Sequence, residues 1–166
     1  MDFIRREISS LKGNVFEDIG NGWMLITAEK DGKVNTMTAS WGGFGFLWGK
    51  RVAFVFIRPQ RYTYEFTESS EYMTLSFFNE SEKKALGYLG THSGRNGDKI
   101  EKSGLHLCRV DGRAAFEEAR AVALCRKLYS DMLKEECFID GSLLSNYEKK
   151  DFHRVYVVEV ESVYTK

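Results

Sequence analysis

Short runs of apolar residues, bounded by glycine and polar turns, divide most of the chain into predicted β-strands. Trp23–Ala28 is the first clear run, and Asp31-Gly32 is a hairpin signal that returns the chain antiparallel as Lys33–Ser40. Arg51–Ile57 is a continuous apolar run, which predicts a strand buried on both faces. Three later strands are predicted: Tyr72–Phe78, Leu105–Val110 (before an Asp111-Gly112 turn) and Arg154–Val160.

Capping residues predict two short helices between these strands. Thr63 can cap a helix over Tyr64–Ser69, just after the turn that contains the only proline of the chain. Asn79, with Glu82 three residues later, precedes a second helix that Gly90 ends. The helices are therefore expected to be minor elements beside the strands.

Two segments remain ambiguous from the pattern of residues. Asp2–Leu11 fits either a short amphipathic turn or an edge strand. Ala114–Leu133 is rich in strong helix formers, although its apolar residues also alternate as in a strand, so the pattern alone favours a helix. Thr91–Lys99 and Asp140–Lys150 are predicted polar loops. The sum is one antiparallel β domain over residues 1–166, a small barrel with a few short helices.

Composition excludes several classes of protein. At 166 residues, with 43% hydrophobic residues, the chain is long enough to bury a core. Its net charge of +0 argues against a general nucleic-acid binder. No apolar run reaches transmembrane length and the N-terminus is too charged for a signal peptide, so we expect a cytoplasmic protein that does not enter a membrane. The cysteines and histidines lack the spacing of a disulfide framework or a metal site.

Charge is unevenly distributed in spite of the neutral total. No Asp or Glu occurs from Gly32 to Tyr64, and the basic residues there give this stretch a formal charge of +5: Lys33, Lys50, Arg51, Arg58 and Arg61. Such a stretch indicates either a binding site for an anion or an ordinary solvent-exposed basic face. Residue types alone leave both interpretations open.

The same stretch offers groups that bind more than an anion. In a strand, Thr36, Thr38 and Ser40 share one face, so their hydroxyls are expected to form a row of hydrogen-bond donors. Flat apolar rings follow closely in sequence: Trp41, Phe44, Phe46 and Trp48. An anion site beside flat rings suits a nucleotide-like cofactor.

Several separated blocks of the sequence resemble the flavin reductase-like proteins, which include flavoredoxin. The blocks lie between Trp23 and Glu161 and read NTMTASWGGFGFLWGKRVAFVFIRPQRYTYEF, YMTLSFF, ALGYLGTHSGRNGDK, CRKLYSDML and HRVYVVEV. The resemblance implies a mainly β, antiparallel, Greek-key-like split β-barrel that binds FMN. It also implies a homodimer with one FMN at or near each subunit interface, and electron transfer between NAD(P)H, FMN and an acceptor.

The resemblance also implies which residues contact the cofactor. The NTMTASW block is similar to the flavin-edge strand of the family and contributes Asn35, Thr36, Met37, Thr38, Ala39, Ser40 and Trp41. The RPQRYT block is similar to the phosphate loop and contributes Arg58, Gln60, Arg61, Tyr62 and Thr63. A second loop contributes Ser93, Arg95 and Lys99. His153 corresponds to a histidine near the flavin or nicotinamide and is the candidate catalytic residue, and Ala119–Tyr129 becomes a barrel strand instead of a helix.

Three functions remain as alternatives at this stage. The first is an FMN-dependent NAD(P)H oxidoreductase that needs no metal. The second is a flavoredoxin-type electron carrier that a partner protein reduces. The third is a non-redox module that binds a nucleotide or nucleic acid. Val158 stands where reductase relatives often have glycine, and its bulk is expected to narrow the space for nicotinamide. His153 is equally well interpreted as a buried core or interface histidine.

Overall fold

Ten β-strands and three short α-helices follow one another in a computed structural model that describes residues 2–10 and 12–166. The strands are β1 (Ile4–Arg6), β2 (Met24–Lys30), β3 (Lys33–Ala39), β4 (Gly42–Leu47), β5 (Lys50–Ile57), β6 (Tyr72–Phe77), β7 (Leu107–Val110), β8 (Arg113–Phe116), β9 (Ala121–Met132) and β10 (Arg154–Thr165). The helices are α1 (Tyr62–Ser69), α2 (Lys83–Thr91) and α3 (Lys99–Ser103). Gly94–Asn96 forms a single turn of 3₁₀-helix, and Gly141–Tyr147 forms a longer 3₁₀ segment.

The strands pair antiparallel throughout. The main sheet has the order β3-β2-β6-β9-β10-β5-β4, with β1 added along β10, and β7 and β8 form a separate hairpin. The longest strands, β9 and β10, shift register between Val157 and Val158 and again between Val160 and Ser162. Such irregularities increase the local twist and bend of a strand, which allows the sheet to curve into a barrel. The predicted mainly β, antiparallel fold with few short helices is confirmed.

Both faces of the sheet are buried over much of its area. Met24 and Ile26 of β2 lie in a core inside the barrel with Tyr156, whereas Leu25 lies on the other face with Phe116. This arrangement follows from the alternation of side chains along a strand. The second core joins α2, α3 and the β7–β8 hairpin to the outside of the sheet through Leu86, Leu89, Ile100 and Val110. The helices are therefore held against the barrel by apolar contacts.

Three tight turns explain the hairpins. Asp31 and Gly32 have φ angles of 51° and 74°, and Asp111 and Gly112 have 48° and 76°, as both predicted turns require. Trp48 and Gly49 form the same kind of turn between β4 and β5, with φ angles of 53° and 70°. Strand β4 was not predicted, because its glycines indicate a turn. Pairing with β5 along the whole of β4 outweighs the low strand propensity of glycine.

The pattern-based helix over Ala114–Leu133 is wrong, and the strand that the family resemblance implies is confirmed. Strand β9 pairs with β6 on one side and with β10 on the other, and these long-range contacts override local helix propensity. Of the ambiguous N-terminal segment, β1 is an edge strand and Ile8–Ser10 is a turn, while Leu11 lies outside the described residues. None of the helices in the described part of the chain has the length and apolar character needed to cross a bilayer.

Both predicted capping residues are wrong. Helix α1 begins at Tyr62, with Arg61 in the N-cap position and no side-chain hydrogen bond there, so Thr63 lies inside the first turn. Asn79 makes no capping bond, and α2 continues past Gly90 to Thr91. In the second glycine-bearing loop, Asp98 is an N-cap that we did not predict, accepting from the backbone N–H groups of two residues of α3.

Candidate functional site

An open cleft of about 200 Å³ lies where β3 and β5 end and β10 begins. Its lining consists of Met37, Thr38, Ala39, Ser40, Trp41, Phe56, Arg58, Arg61 and His153. The sequence analysis predicted all of these residues except Phe56 as cofactor-binding or catalytic. Register explains the convergence: Arg154 pairs with Ile57, so His153 and Arg58 leave the sheet side by side.

Two cations lie near the C-terminal end of α2: Arg61, which is half-buried and lines the cleft, and Lys99, which is buried and does not line it. Arg61 Nη1 donates to the Gly90 carbonyl oxygen at 2.7 Å, and Lys99 Nζ donates to the carbonyl oxygens of Leu89 and His92, each at 3.0 Å. These acceptors belong to the C-terminal end of α2, where carbonyl groups lack partners within the helix and favour positive charge. Arg61 Nη2 is buried and has no partner among the described residues.

The two cations also affect one another. Burial lowers the pKa of Arg61. Burial, followed by the nearby Arg61 charge, lowers the pKa of Lys99 to about 8. Neither side chain forms an ion pair with a carboxylate within residues 2–10 and 12–166. Buried charges are normally paired, so two neighbouring cations without a carboxylate partner among the described residues are unusual.

Arg58, the other predicted phosphate ligand, is already engaged. It forms an ion pair with Asp151, and its Nη2 donates to the Asn146 carbonyl oxygen at 3.0 Å. Gln60 Nε2 donates to the same Asp151 carboxylate at 2.6 Å. The guanidinium also lies 5.1 Å from the centre of the Tyr147 ring. In this structure Arg58 and Gln60 therefore hold the segment 146–151 against the cleft.

Most of the predicted hydroxyl donors form hydrogen bonds within the protein. Thr36 Oγ1 donates to the Ile26 carbonyl oxygen and contacts Thr27 Oγ1 at 2.8 Å, and Thr36 is fully buried. Thr38 Oγ1 donates to the Leu86 carbonyl oxygen at 2.6 Å, which fixes α2 to β3. Asn35 Nδ2 donates to Thr63 Oγ1 at 3.0 Å. The expectation that the hydroxyls of Thr36 and Thr38 offer free donors to a ligand is therefore wrong; of the row, only Ser40 is exposed.

The second predicted loop packs beside α1, and none of its predicted residues, Ser93, Arg95 and Lys99, is among those that line the cleft. Ser93 Oγ accepts from the Arg95 backbone N–H at 3.2 Å. Arg95 donates to the Gln60 carbonyl oxygen at 3.1 Å, pairs with Glu65, and lies 4.8 Å from the centre of the Tyr62 ring. The loop therefore supports the Arg58–Arg61 turn from behind.

His153 closes the cleft and is 7% exposed. Its Nδ1 lies 2.7 Å from the Tyr147 hydroxyl, and its ring centre lies 5.2 Å from that of Trp41. Burial, followed by the Arg58 charge, lowers the pKa of His153 to about 4, although Asp151 acts in the opposite direction. The imidazole is therefore neutral near pH 7. Val158 has its whole surface buried in the barrel core, so it is not part of the cleft lining.

Sequence reasoning missed Tyr147, Asp151 and Phe56. Tyr147 and Asp151 lie in or beside a segment that the sequence showed only as a polar loop, and Phe56 was assigned to a strand buried on both faces. Phe56 is in fact half-buried, because its side chain faces the open cleft. Phe56 and Arg58 are two residues apart in sequence, so their side chains point to the same face at the end of β5. This spacing could have predicted that Phe56 lies near the site. No group of His, Cys, Asp or Glu in the described ranges is arranged to hold a metal ion.

The sequence profile of the family described as "Flavin reductase like domain" matches residues 16–166. The chain belongs to this family. None of the curated protein sequences compared with it matches significantly.

Solved structures support the split-barrel fold of this flavin reductase-like chain. An FMN-binding domain of a flavin reductases-like enzyme from Shewanella baltica superposes with a TM-score of 0.71 at 17% identity, covering 99% of this chain and 77% of that one. Flavoredoxin from Methanosarcina acetivorans gives 0.67 at 20% identity, covering 87% and 68%. The styrene monooxygenase flavin reductase from Pseudomonas putida gives 0.65 at 15% identity, covering 87% and 79%.

The flavin reductase-like domain also exposes large aromatic side chains around the cleft mouth and the β4–β5 turn. Trp41 is 46% exposed, Phe46 is 74% exposed and Trp48 is 59% exposed. Tyr129 of β9 continues this surface, with its ring centre 6.3 Å from that of Trp48. We call these four residues the aromatic face. Exposed aromatic side chains are enriched at protein–protein interfaces.

Proposed function

We propose that this protein binds FMN in the cleft and transfers electrons between NAD(P)H and the flavin or a downstream acceptor. One observation supports this function most strongly: Arg61 lines the cleft, and its buried Nη2 group has no hydrogen-bond partner among the described residues. An unsatisfied buried donor costs free energy. A ligand oxygen that accepts from Nη2 removes this cost.

A phosphate group suits this end of the cleft better than a neutral oxygen does. Arg61 and Lys99 present two positive charges without a carboxylate, and a phosphate carries close to two negative charges near pH 7. Helix α1 begins at Tyr62, directly after Arg61, so its N-terminal partial positive charge adds to the same region. Arginine binds phosphate with two parallel hydrogen bonds where its geometry allows.

The rest of the lining suits a planar ring. Trp41, Phe56 and His153 supply flat surfaces, and Met37 and Ala39 supply an apolar floor. FMN, when bound, supplies the electron-accepting and electron-donating chemistry. The protein residues bind and orient the cofactor, and the aromatic side chains exclude water from the ring.

We further propose that the protein works as a homodimer. A cleft of about 200 Å³ is smaller than the roughly 300–1,000 Å³ of most ligand pockets. The aromatic face, which includes Trp41 of the lining, adjoins the cleft. A second copy packed on this face would both cover the rings and enlarge the wall of the site.

One observation favours an electron carrier of the flavoredoxin type as the second candidate. Besides Arg61, the cationic side chain that lines the cleft is Arg58, and Arg58 is paired with Asp151. With Arg61 and Lys99 assigned to the FMN phosphate, the cleft lining offers no further unpaired cation, among the described residues, for the pyrophosphate of a nicotinamide nucleotide. A partner protein would then supply the electrons.

The first experiment is a visible spectrum of the purified protein, with any released chromophore identified by chromatography. We expect a flavin spectrum and recovered FMN, and bleaching of the flavin by NADH or NADPH. A bound flavin that nicotinamide does not reduce, but that reduced ferredoxin does, selects the carrier. A colourless protein that does not take up added FMN contradicts both redox functions and leaves the non-redox binding module.

Replacing the Arg61 guanidinium tests the position of the phosphate. Arg61→Met should weaken FMN binding by about 10- to 100-fold, the effect of losing a charge-assisted hydrogen bond, and should leave riboflavin binding nearly unchanged. Fluorescence quenching titrations of both flavins measure the two affinities. Arg120→Met is the matched control, because Arg120 also donates to a backbone carbonyl but is neutralised by Asp18. Equal losses for FMN and riboflavin would place the phosphate elsewhere.

Lys99 predicts a pH dependence that only FMN shows. In the free protein its pKa is about 8, so above that pH Lys99 loses the charge that attracts the phosphate. FMN affinity should therefore fall as the pH rises through about 8, by up to about tenfold per pH unit, because binding must restore the proton. Riboflavin affinity should not follow this slope.

The lysine assignment has its own control variants. Lys99→Met should remove the FMN-specific slope. Lys127→Met should retain it, because Lys127 donates to the carbonyl oxygens of Thr67 and Glu68 at the end of α1, remote from the cleft. Retention of the slope in Lys99→Met would show that another group titrates.

A further inference from the structure

We propose that Tyr147 is a positioning residue that holds the His153 imidazole in its Nε2–H tautomer, so that the cleft contains a neutral hydrogen-bond donor. The Tyr147 hydroxyl lies 2.7 Å from His153 Nδ1, and this contact is buried. A neutral imidazole has one protonated and one bare nitrogen, and the partner of one nitrogen fixes the role of the other. Tyr147 therefore determines what His153 presents to a ligand.

The direction of the hydrogen bond follows from the available acceptors. If Nδ1 carried the proton, the Tyr147 hydroxyl would accept, and its own hydrogen would need a second partner. Among the residues that the structure describes, Nδ1 is the one partner of this hydroxyl. Tyr147 is 6% exposed, so an unsatisfied hydroxyl hydrogen would be costly. The hydroxyl therefore donates to a bare Nδ1, and the proton lies on Nε2.

Tyr147 is held firmly enough to impose this choice. Phe152 stacks on its ring with the centres 4.8 Å apart and the planes 21° apart, and Phe138 lies against it at 5.7 Å. The Arg58 guanidinium covers the ring, donates to the Asn146 carbonyl oxygen and pairs with Asp151. These contacts fix the end of the 3₁₀ segment Gly141–Tyr147 next to the start of β10. The tyrosine is thus held in a fixed position beside His153, which lines the cleft.

The charges around His153 keep the ring neutral. Arg58 and Asp151 are the charged groups that act on it, from the end of β5 and from the segment before β10. Trp41 and Phe56 cover other parts of the ring, with centres at 5.2 Å and 6.3 Å, and carry no charge. Burial and Arg58 together outweigh Asp151 and hold the pKa of His153 at about 4. Above pH 5 the imidazole therefore acts as a hydrogen-bond donor through Nε2 and does not accept a proton there.

The consequence for the ligand rests on the proposed function, whereas the tautomer itself does not. An Nε2–H group facing the cleft suits a carbonyl oxygen or a bare ring nitrogen of a planar ligand. A positively charged or proton-donating group would find no acceptor at Nε2. His153 is therefore inferred to orient an acceptor atom and not to act as a general base.

Nitrogen NMR of the full chain, labelled with ¹⁵N-histidine, tests the tautomer directly. The shifts of the two ring nitrogens distinguish a protonated from a bare nitrogen, and His153→Gln assigns the signals against His92 and His106. We expect His153 to be the Nε2–H tautomer and to stay neutral from about pH 5 to pH 9. In Tyr147→Phe the preference for Nε2–H should fall by about tenfold, giving a mixture of tautomers.

A matched control separates the hydroxyl from general repacking. Tyr88 stacks on His92 with ring centres 3.9 Å apart, but it bonds His92 through its backbone oxygen, so Tyr88→Phe should change no histidine tautomer. An Nδ1–H tautomer or a charged His153 at pH 7 in the unmodified protein would overturn the proposal, even if Tyr147→Phe fails to fold. An unaltered tautomer in a folded Tyr147→Phe would also overturn it. Because no flavin is needed, failure of FMN binding leaves this test intact.

Discussion

Two cations without a carboxylate partner among the described residues, the half-buried Arg61 and the buried Lys99, constrain how the end of α2 packs beside the cleft. The end of α2 stabilises them, because its carbonyl oxygens accept from both side chains. Helix α2 is in turn fixed to β3 through Thr38 and to the second core through Leu86 and Leu89. The position of the two cations is therefore determined by the barrel framework, which leaves Arg61 Nη2 without a partner among the described residues.

Arg58, the other arginine of the cleft lining, has its charge neutralised within the protein. Arg58 is neutralised by Asp151, and the pair holds Tyr147 and the following strand in place. The two arginines of one short turn thus have distinct functions: Arg58 organises the protein, and Arg61 is proposed to bind the ligand. This division accounts for why the wall near His153 is neutral although the surrounding stretch of sequence is strongly basic.

Much of the fold was predictable, because alternation and turn residues act locally. The Asp31-Gly32 hairpin and the closing strand β10 follow from such signals. Strand β9 was not predictable from local pattern, because its sequence is rich in helix formers. Pairing with β6 and β10 makes it a strand. At the site, the sequence predicted Arg58 and Arg61 equally as phosphate ligands. Only the position of Asp151, distant in sequence from Arg58, distinguishes them, and no local pattern predicts such a contact.

A crystal structure of the protein with FMN would locate the phosphate group. We expect a phosphate oxygen about 3 Å from Arg61 Nη2, with Lys99 near the same group and Arg58 still paired with Asp151. A phosphate bound by Arg58 and Arg95, with Arg61 Nη2 still unpaired, would show that Arg61 is not the phosphate ligand.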